Sequence, residues 1–146
     1  MDGKLKEYQR TETLGKSQLD LILQVYDGAI AAYSAAKEAY EQNEYDVGYD
    51  HMERARRFIT HLYTTLDPEK GGEVAENLAK LYAFVITQTD VAESTKNLSV
   101  IESSIEVLTN LRDGWRQLKS QENASKQDTS ENRVAESDAG GILVSG

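Results

Sequence analysis

Along most of the chain the apolar residues return at steps of three and four, and nowhere do they alternate with period two for long enough to make a strand. The first such run is Leu19, Ile22, Leu23, Tyr26, Ile30, Tyr33 and Tyr40. Ser17 stands before it as a helix cap with Asp20 at the third helical position, where the free N–H groups and the dipole favour a carboxylate. The pattern predicts a helix from Ser17 to about Gln42, stopping at Asn43. A second helix is predicted from Tyr45, with Tyr45, Gly48, Met52, Ala55, Ile59, Leu62 and Leu66 as its seam. It ends at Leu66-Asp67-Pro68, because the residue before proline is pushed out of the α region.

Lys70-Gly71-Gly72 reads as a break, after which Val74, Leu78, Leu81, Tyr82, Val85, Ile86 and Thr89 form one side of a third helix that fades between Ser94 and Asn97. The fourth repeats Ile101, Ile105, Leu108, Leu111, Trp115 and Leu118. Four helices with short links predict an all-α fold, an antiparallel four-helix bundle over 17–119. Residues 1–16 read as an N-terminal arm. From Ser120 onward the composition turns to Ser, Gln, Asn, Asp, Glu and Lys, so 120–146 is expected to be a disordered acidic tail. Its closing Ile142-Leu143-Val144 is a candidate docking peptide, although short apolar ends more often do nothing.

Composition narrows the function classes. The 146 residues are one domain's worth, and zero cysteine excludes disulfides and thiol catalysis. Sixteen basic against 25 acidic residues give a net charge of −9, which repels phosphate backbones and anionic lipid. The densest basic group, Arg54, Arg56 and Arg57 with His61, reads as a solvated helix face rather than a nucleic-acid stripe. No segment approaches the roughly 18 uninterrupted apolar residues of a membrane span, and the start of the chain has no apolar leader. The expectation is a soluble, cytoplasmic protein with no nucleic acid and no membrane insertion.

Catalytic and metal motifs fail on spacing. Gly15-Lys16-Ser17 closes like a phosphate loop, but Arg10 stands where the pattern needs its first glycine. The two histidines are preceded at three residues by Gly48 and Phe58, so neither completes the Glu-x-x-His pair of a di-iron bundle. His51 and His61 are taken as surface or boundary residues. No cofactor, metal or catalytic residue is expected, and the chain is not read as an enzyme.

What the residues do offer is an apolar surplus on the first helix. Between Leu19 and Ala36, Asp20, Gln24, Asp27 and Ser34 form one polar stripe, and the rest of the circumference is apolar or small. A bundle helix needs an apolar arc of about 100°, so this helix is either the most buried of the four or lines a groove through Leu21, Val25, Gly28 and Ala32. Gly28, unfavourable by about 1 kcal/mol in mid-helix, implies a close approach there, by a neighbouring helix or by a partner. Eight tyrosines against two phenylalanines suit either half-exposed binding faces or bundle boundaries.

At this point three ordered elements become familiar. Val25-Tyr26-Asp27-Gly28-Ala29-Ile30 resembles the L-Y-D-G-A-I element of the FliS family of flagellar secretion chaperones. Leu66-Asp67-Pro68-Glu69-Lys70-Gly71-Gly72-Glu73-Val74-Ala75-Glu76-Asn77-Leu78, followed by Leu81-Tyr82, is similar to its L-D-x-E-x-G-G-E-I-A-x-N-L-x-x-L-Y segment. Val107-Leu108 and Leu111-Arg112-Asp113-Gly114-Trp115 match its V-L-x-x-L-R-x-x-W. Gln18 departs from the family's proline at the first helix start, and Ala92 to Asn97 departs after the third helix.

The resemblance implies a cytosolic chaperone that holds the C-terminal segment of flagellin, blocks premature polymerisation and delivers it to the flagellar type III export gate, a membrane protein met through its cytosolic domain. The expected client-binding residues are Leu21, Val25, Tyr26, Gly28, Ala32, Tyr82, Leu111 and Trp115. Leu5 and Tyr8 would anchor an arm that covers the groove and meets the gate. Asp27, Asp67, Gly71, Gly72, Asn77 and Arg112 carry the structural motifs, with Gly71-Gly72 free to take positive φ and Asn77 bonding near that turn. A self-assembling structural bundle, a weak homodimer, or a sister chaperone with another client would use the same surplus. On any of these readings function needs neither metal nor nucleotide. Calorimetric titration with zinc, iron(II) or ATP is expected to show no stoichiometric binding, and a tight site for any of them would overturn the motif analysis.

Overall fold

The computed structural model describes residues 17–128, which form four helices: α1 (Gln18–Glu41), α2 (Tyr45–Thr64), α3 (Pro68–Thr95) and α4 (Leu98–Asp128). The all-α bundle expected from the periodicity is what the chain adopts. Ser17 caps α1 in a reciprocal box: its hydroxyl accepts from the Asp20 N–H at 3.1 Å, and the Asp20 carboxylate accepts from the Ser17 N–H at 3.0 Å. Asn43, at φ 61°, turns the chain into α2, and Lys96, at φ 56°, ends α3 in the left-handed cap position.

Two boundaries differ from the sequence expectation. First, α3 begins at Pro68, ahead of the glycines. Asp67 caps it by accepting from the N–H groups of Glu69 and Lys70, at 3.1 and 3.2 Å, and proline suits a first turn whose N–H needs no partner. The break falls inside the helix at Gly72 alone, with φ 54° and ψ −131°, whereas Gly71 is buried with its N–H bonded to the Asp67 carbonyl. Second, α4 continues past Lys119 to Asp128, through residues expected to belong to a disordered tail. Once a helix is nucleated, Gln121, Glu122, Ala124 and Lys126 extend it cheaply, with no glycine or proline to stop them. The arm expected at 1–16 and the tail beyond Asp128 lie outside the described residues.

Helices α1 and α3 face each other across the bundle, and each packs against both α2 and α4. Tyrosine fills the diagonal. The Tyr26 and Tyr82 hydroxyls bond each other, and Tyr33 bonds Thr89 at 2.7 Å. Thr89 gives its proton to the Val85 carbonyl at 2.8 Å, so Tyr33 must be the donor. Burial holds both Tyr26 and Tyr82 above the ordinary phenol range and pushes Tyr33 up to about 12, so all three stay protonated. The two rungs rise together along both chains, which sets α1 and α3 parallel.

Ion pairs fix two of the neighbouring crossings. Asp20–Lys119, Asp27–Arg112 at 3.2 Å and Lys37–Glu102 at 3.2 Å descend α4 as they climb α1, making that pair antiparallel. Between α2 and α3, Arg56 reaches Glu53 at 3.0 Å and also grips Asp90 and Glu93. Arg56 is therefore an interhelical clamp rather than part of the solvated basic face expected of it. At the start of α2, Tyr45 is exposed although expected in the seam, and Gly48 is buried with the Tyr40 ring where a side chain would stand.

Two sets of measurements check this packing. At Gly72 a side chain has open space but the wrong φ, while at mid-helix Gly114 it has open space and ordinary helical backbone. Gly72→Ala should therefore cost about 1–3 kcal/mol and Gly114→Ala should stabilise by up to about 1 kcal/mol, in urea unfolding followed by circular dichroism. Burial, with the proton shared with Glu53, pushes Glu93 up to about 7 from 4.5. Its contribution is complete below pH 4.5 and is lost as pH rises to about 7, since over that window the native state binds the extra proton. Glu93→Gln should flatten the decline of stability across that window, and an unchanged slope would place the titration elsewhere.

Candidate functional site

The exposed apolar side chains of α3 are Val74 (54%), Leu81 (37%), Phe84 (48%) and Val91 (37%). At 3.6 residues per turn they share one flank, together with Asn77 and Gln88. The core face of the same helix is Ala75, Leu78, Tyr82, Val85, Thr89 and Ala92. Asp90 and Glu93 lie on the flank that meets Arg56 of α2. The apolar flank is therefore the one turned from α2 towards α4.

On α4 the division is parallel. Ile101, Leu108 and Trp115 are buried, and Glu102, Arg112 and Lys119 face α1 through their ion pairs. Val100, Val107, Leu111 and Leu118, half-buried, occupy the opposite flank. The two flanks together form an apolar furrow along the α3–α4 crossing. Val74 to Val91 spans about 25 Å at 1.5 Å per residue, enough for about four and a half turns of a partner helix. The spacing of the α3 residues is that of a coiled-coil seam without its second strand.

At the start of α3 lies a surface cavity of about 860 Å³, lined by Tyr63 from α2, Leu66 from the link after it, and Gly72, Ala75, Asn77 and Lys80 among others. The middle motif of the sequence thus surrounds a depression. Asn77 is exposed in its wall and makes no hydrogen bond to the turn, contrary to expectation.

The residues expected on the first-helix flank fare differently from one another. Leu21 is exposed and Val25 half-buried, but Tyr26 and Ala32 are closed into the core. A Cβ on Gly28 would lie 2.6 Å from the Phe58 ring, so its close approach is to α2, the plainer of the two readings. Tyr82 and Trp115 are buried as well, with the Trp115 ring 6.5 Å from Tyr26. These side chains hold the bundle together, and of the set expected to bind, Leu21, Val25, Gly28 and Leu111 retain accessible surface. The surplus on α1 is explained by its two neighbours: it is the helix most surrounded by the others.

Asp27 and Arg112, 85 residues apart, meet as an ion pair, and Asp67 caps α3, so these motif residues are structural. Leu5 and Tyr8 lie outside the described residues. Phe84 and Val91 were missed by the sequence reading, and Val74 and Leu81 were misassigned to the third-helix core. The signal was present: apolar residues on α3 occupy two stripes, a wider arc than the core needs. His51 is half-buried and His61 exposed, as expected. Among the described residues no group of His, Cys, Asp and Glu is placed to hold a metal, and no helix is long and apolar enough to cross a membrane.

This furrowed, chemistry-poor bundle can be set beside known proteins. The chain is 31% identical to the flagellar secretion chaperone FliS of Salmonella typhimurium over 106 residues, 72% of this chain and 78% of that one. It is 25% identical to FliS of Vibrio cholerae over 122 residues, 81% of this chain and 90% of the relative. A crystal structure described as a flagellar chaperone from bacteria superposes with a TM-score of 0.68 at 19% identity, covering 81% of this chain and 98% of that chain, which supports the fold. The family model for the flagellar protein FliS matches residues 1–122. With its three motifs resolved into a helix crossing, a capped turn and an interhelical ion pair, the chain belongs to the FliS family of flagellar secretion chaperones.

Proposed function

We propose that this chain is a cytoplasmic, non-catalytic chaperone that holds the C-terminal segment of flagellin along α3, keeps it from polymerising, and presents it to the cytosolic domain of the flagellar export gate. One observation supports the placement: Val74, Leu81, Phe84 and Val91 stand exposed in coiled-coil register along one flank of α3. An apolar strip of this length is costly to leave in water and matches an amphipathic helix presenting residues at i, i+3, i+4 and i+7. At the start of α3, the cavity walled by Tyr63, Leu66 and Asn77 offers room for an extended piece. Family membership supplies the export role, and the net charge of −9 disfavours nucleic acid as the partner.

A client that is disordered beforehand spends part of its contact energy on ordering, so a large wrapped surface remains compatible with reversible binding. Reversibility suits a protein that must release its cargo. The arm bearing Leu5 and Tyr8 would cover part of this surface when no client is present.

The test is calorimetric titration with a peptide of the flagellin C-terminal segment. Phe84→Asp alters a side chain already half in water, so the bundle should stay folded, and binding should weaken by at least about 2 kcal/mol, some thirtyfold. Leu21→Asp reports the α1 flank in the same assay. Wild-type binding that survives Phe84→Asp but not Leu21→Asp would return the site to α1, and absence of binding by the wild type would remove flagellin as the client.

A further inference from the structure

The family match ends at residue 122, whereas the chain continues to 146. Within residues 129–146 the run Ile142-Leu143-Val144 is the only place where large apolar side chains adjoin. It follows Gly140-Gly141, which leaves the approach sterically unencumbered. Helix α4 delivers this segment to a definite place. Because α4 runs antiparallel to α3, its Asp128 end lies beyond the Val74 end of the apolar furrow.

Reach can be checked against chain geometry. Residues 129–141 extend to at most about 45 Å. Stepping back along α4 from Asp128 to Leu111, which the Tyr26–Tyr82 and Asp27–Arg112 contacts set about level with Phe84, takes about 26 Å at 1.5 Å per residue. The triplet therefore reaches Leu81 and Phe84 with slack to spare.

We propose that Ile142-Leu143-Val144 docks intramolecularly in the α3–α4 furrow, against Leu81, Phe84, Val107 and Leu111, and acts as a built-in competitor for the client. The placement of the client there rests on the function proposed above, but the docking itself does not. Three apolar side chains make a weak anchor, and weakness is what the role needs. A tether of this length supplies an effective concentration in the millimolar range, so an anchor of roughly millimolar affinity is bound for a large share of the time yet yields to a longer client segment. The furrow is thereby covered in the free protein, and its exposed apolar strip is kept from pairing with a second copy.

The absence of cysteine makes the test clean. A nitroxide attached at Ser145→Cys in the full chain, with no client present, is expected to broaden the amide signals of Leu81, Phe84 and Val107 selectively. Leu143→Asp in the tail, or Phe84→Asp in the furrow, should abolish the broadening. Broadening that is absent, spread evenly over the bundle, or indifferent to Leu143→Asp would overturn the proposal whatever the client is. In a second arm, truncation after Asp128 should tighten flagellin-peptide binding by about threefold to tenfold, and Leu143→Asp should do the same. Failure of the truncated protein to bind that peptide, with the selective broadening intact, sinks the flagellin reading and leaves the docking standing. Unchanged affinity in a truncated protein that does bind overturns competition.

Discussion

The diagonal between α1 and α3 is spanned by tyrosines, and the remaining geometry follows from that choice. Two aliphatic residues meeting there would draw the helices together. Tyr26 against Tyr82 and Tyr33 against Thr89 instead hold them a ring's length apart and end in hydroxyl pairs that satisfy each other in a buried setting. A buried hydroxyl left alone would cost about 1–3 kcal/mol, so each rung is specific: slipping α3 by one residue strands both. The rungs recur at the seven-residue spacing of the apolar pattern itself, and so lock register as well as distance.

With α3 locked in rotation, its two flanks take opposite characters. One turns to α2 and is closed by charge, with Arg56 serving Glu53, Asp90 and Glu93 at once. The other turns towards α4 and is left apolar, with half-buried aliphatics across the furrow. Charge thus pins α3 against α2, while the flank towards α4 stays apolar. In the same way the α1–α4 crossing is pinned along its length by Asp20, Asp27 and Lys37 and their partners, which makes α1 a scaffold helix.

This arrangement also accounts for residues that a motif list treats alike. Gly28 and Gly72 both sit in family-like segments. Gly28 is needed because the Phe58 ring of α2 occupies the place of a side chain, and Gly72 because its backbone takes a φ that other residues resist. Neither touches the furrow. The motifs build the frame, and the apolar flank of α3 is a surface the frame leaves over.

By itself the sequence determined the number of helices, the cap at Ser17, the end of α2 ahead of Pro68, the all-α class and the family, because these depend on local hydrogen bonding and on a periodicity that any reader of the chain can count. It also showed that catalytic spacings are missing. Only the tertiary structure decided which apolar stripe is core and which is surface. Val74, Leu78 and Leu81 are equally apolar as letters, and Tyr26 looks as fit for an open groove as Tyr45, yet Leu78 and Tyr26 are buried and the other three exposed. Helix rotation settles it. A rotation of one residue, about 100°, exchanges core for flank, and what fixes it are contacts between side chains 56 and 85 residues apart, Tyr26 with Tyr82 and Asp27 with Arg112, that no local pattern encodes.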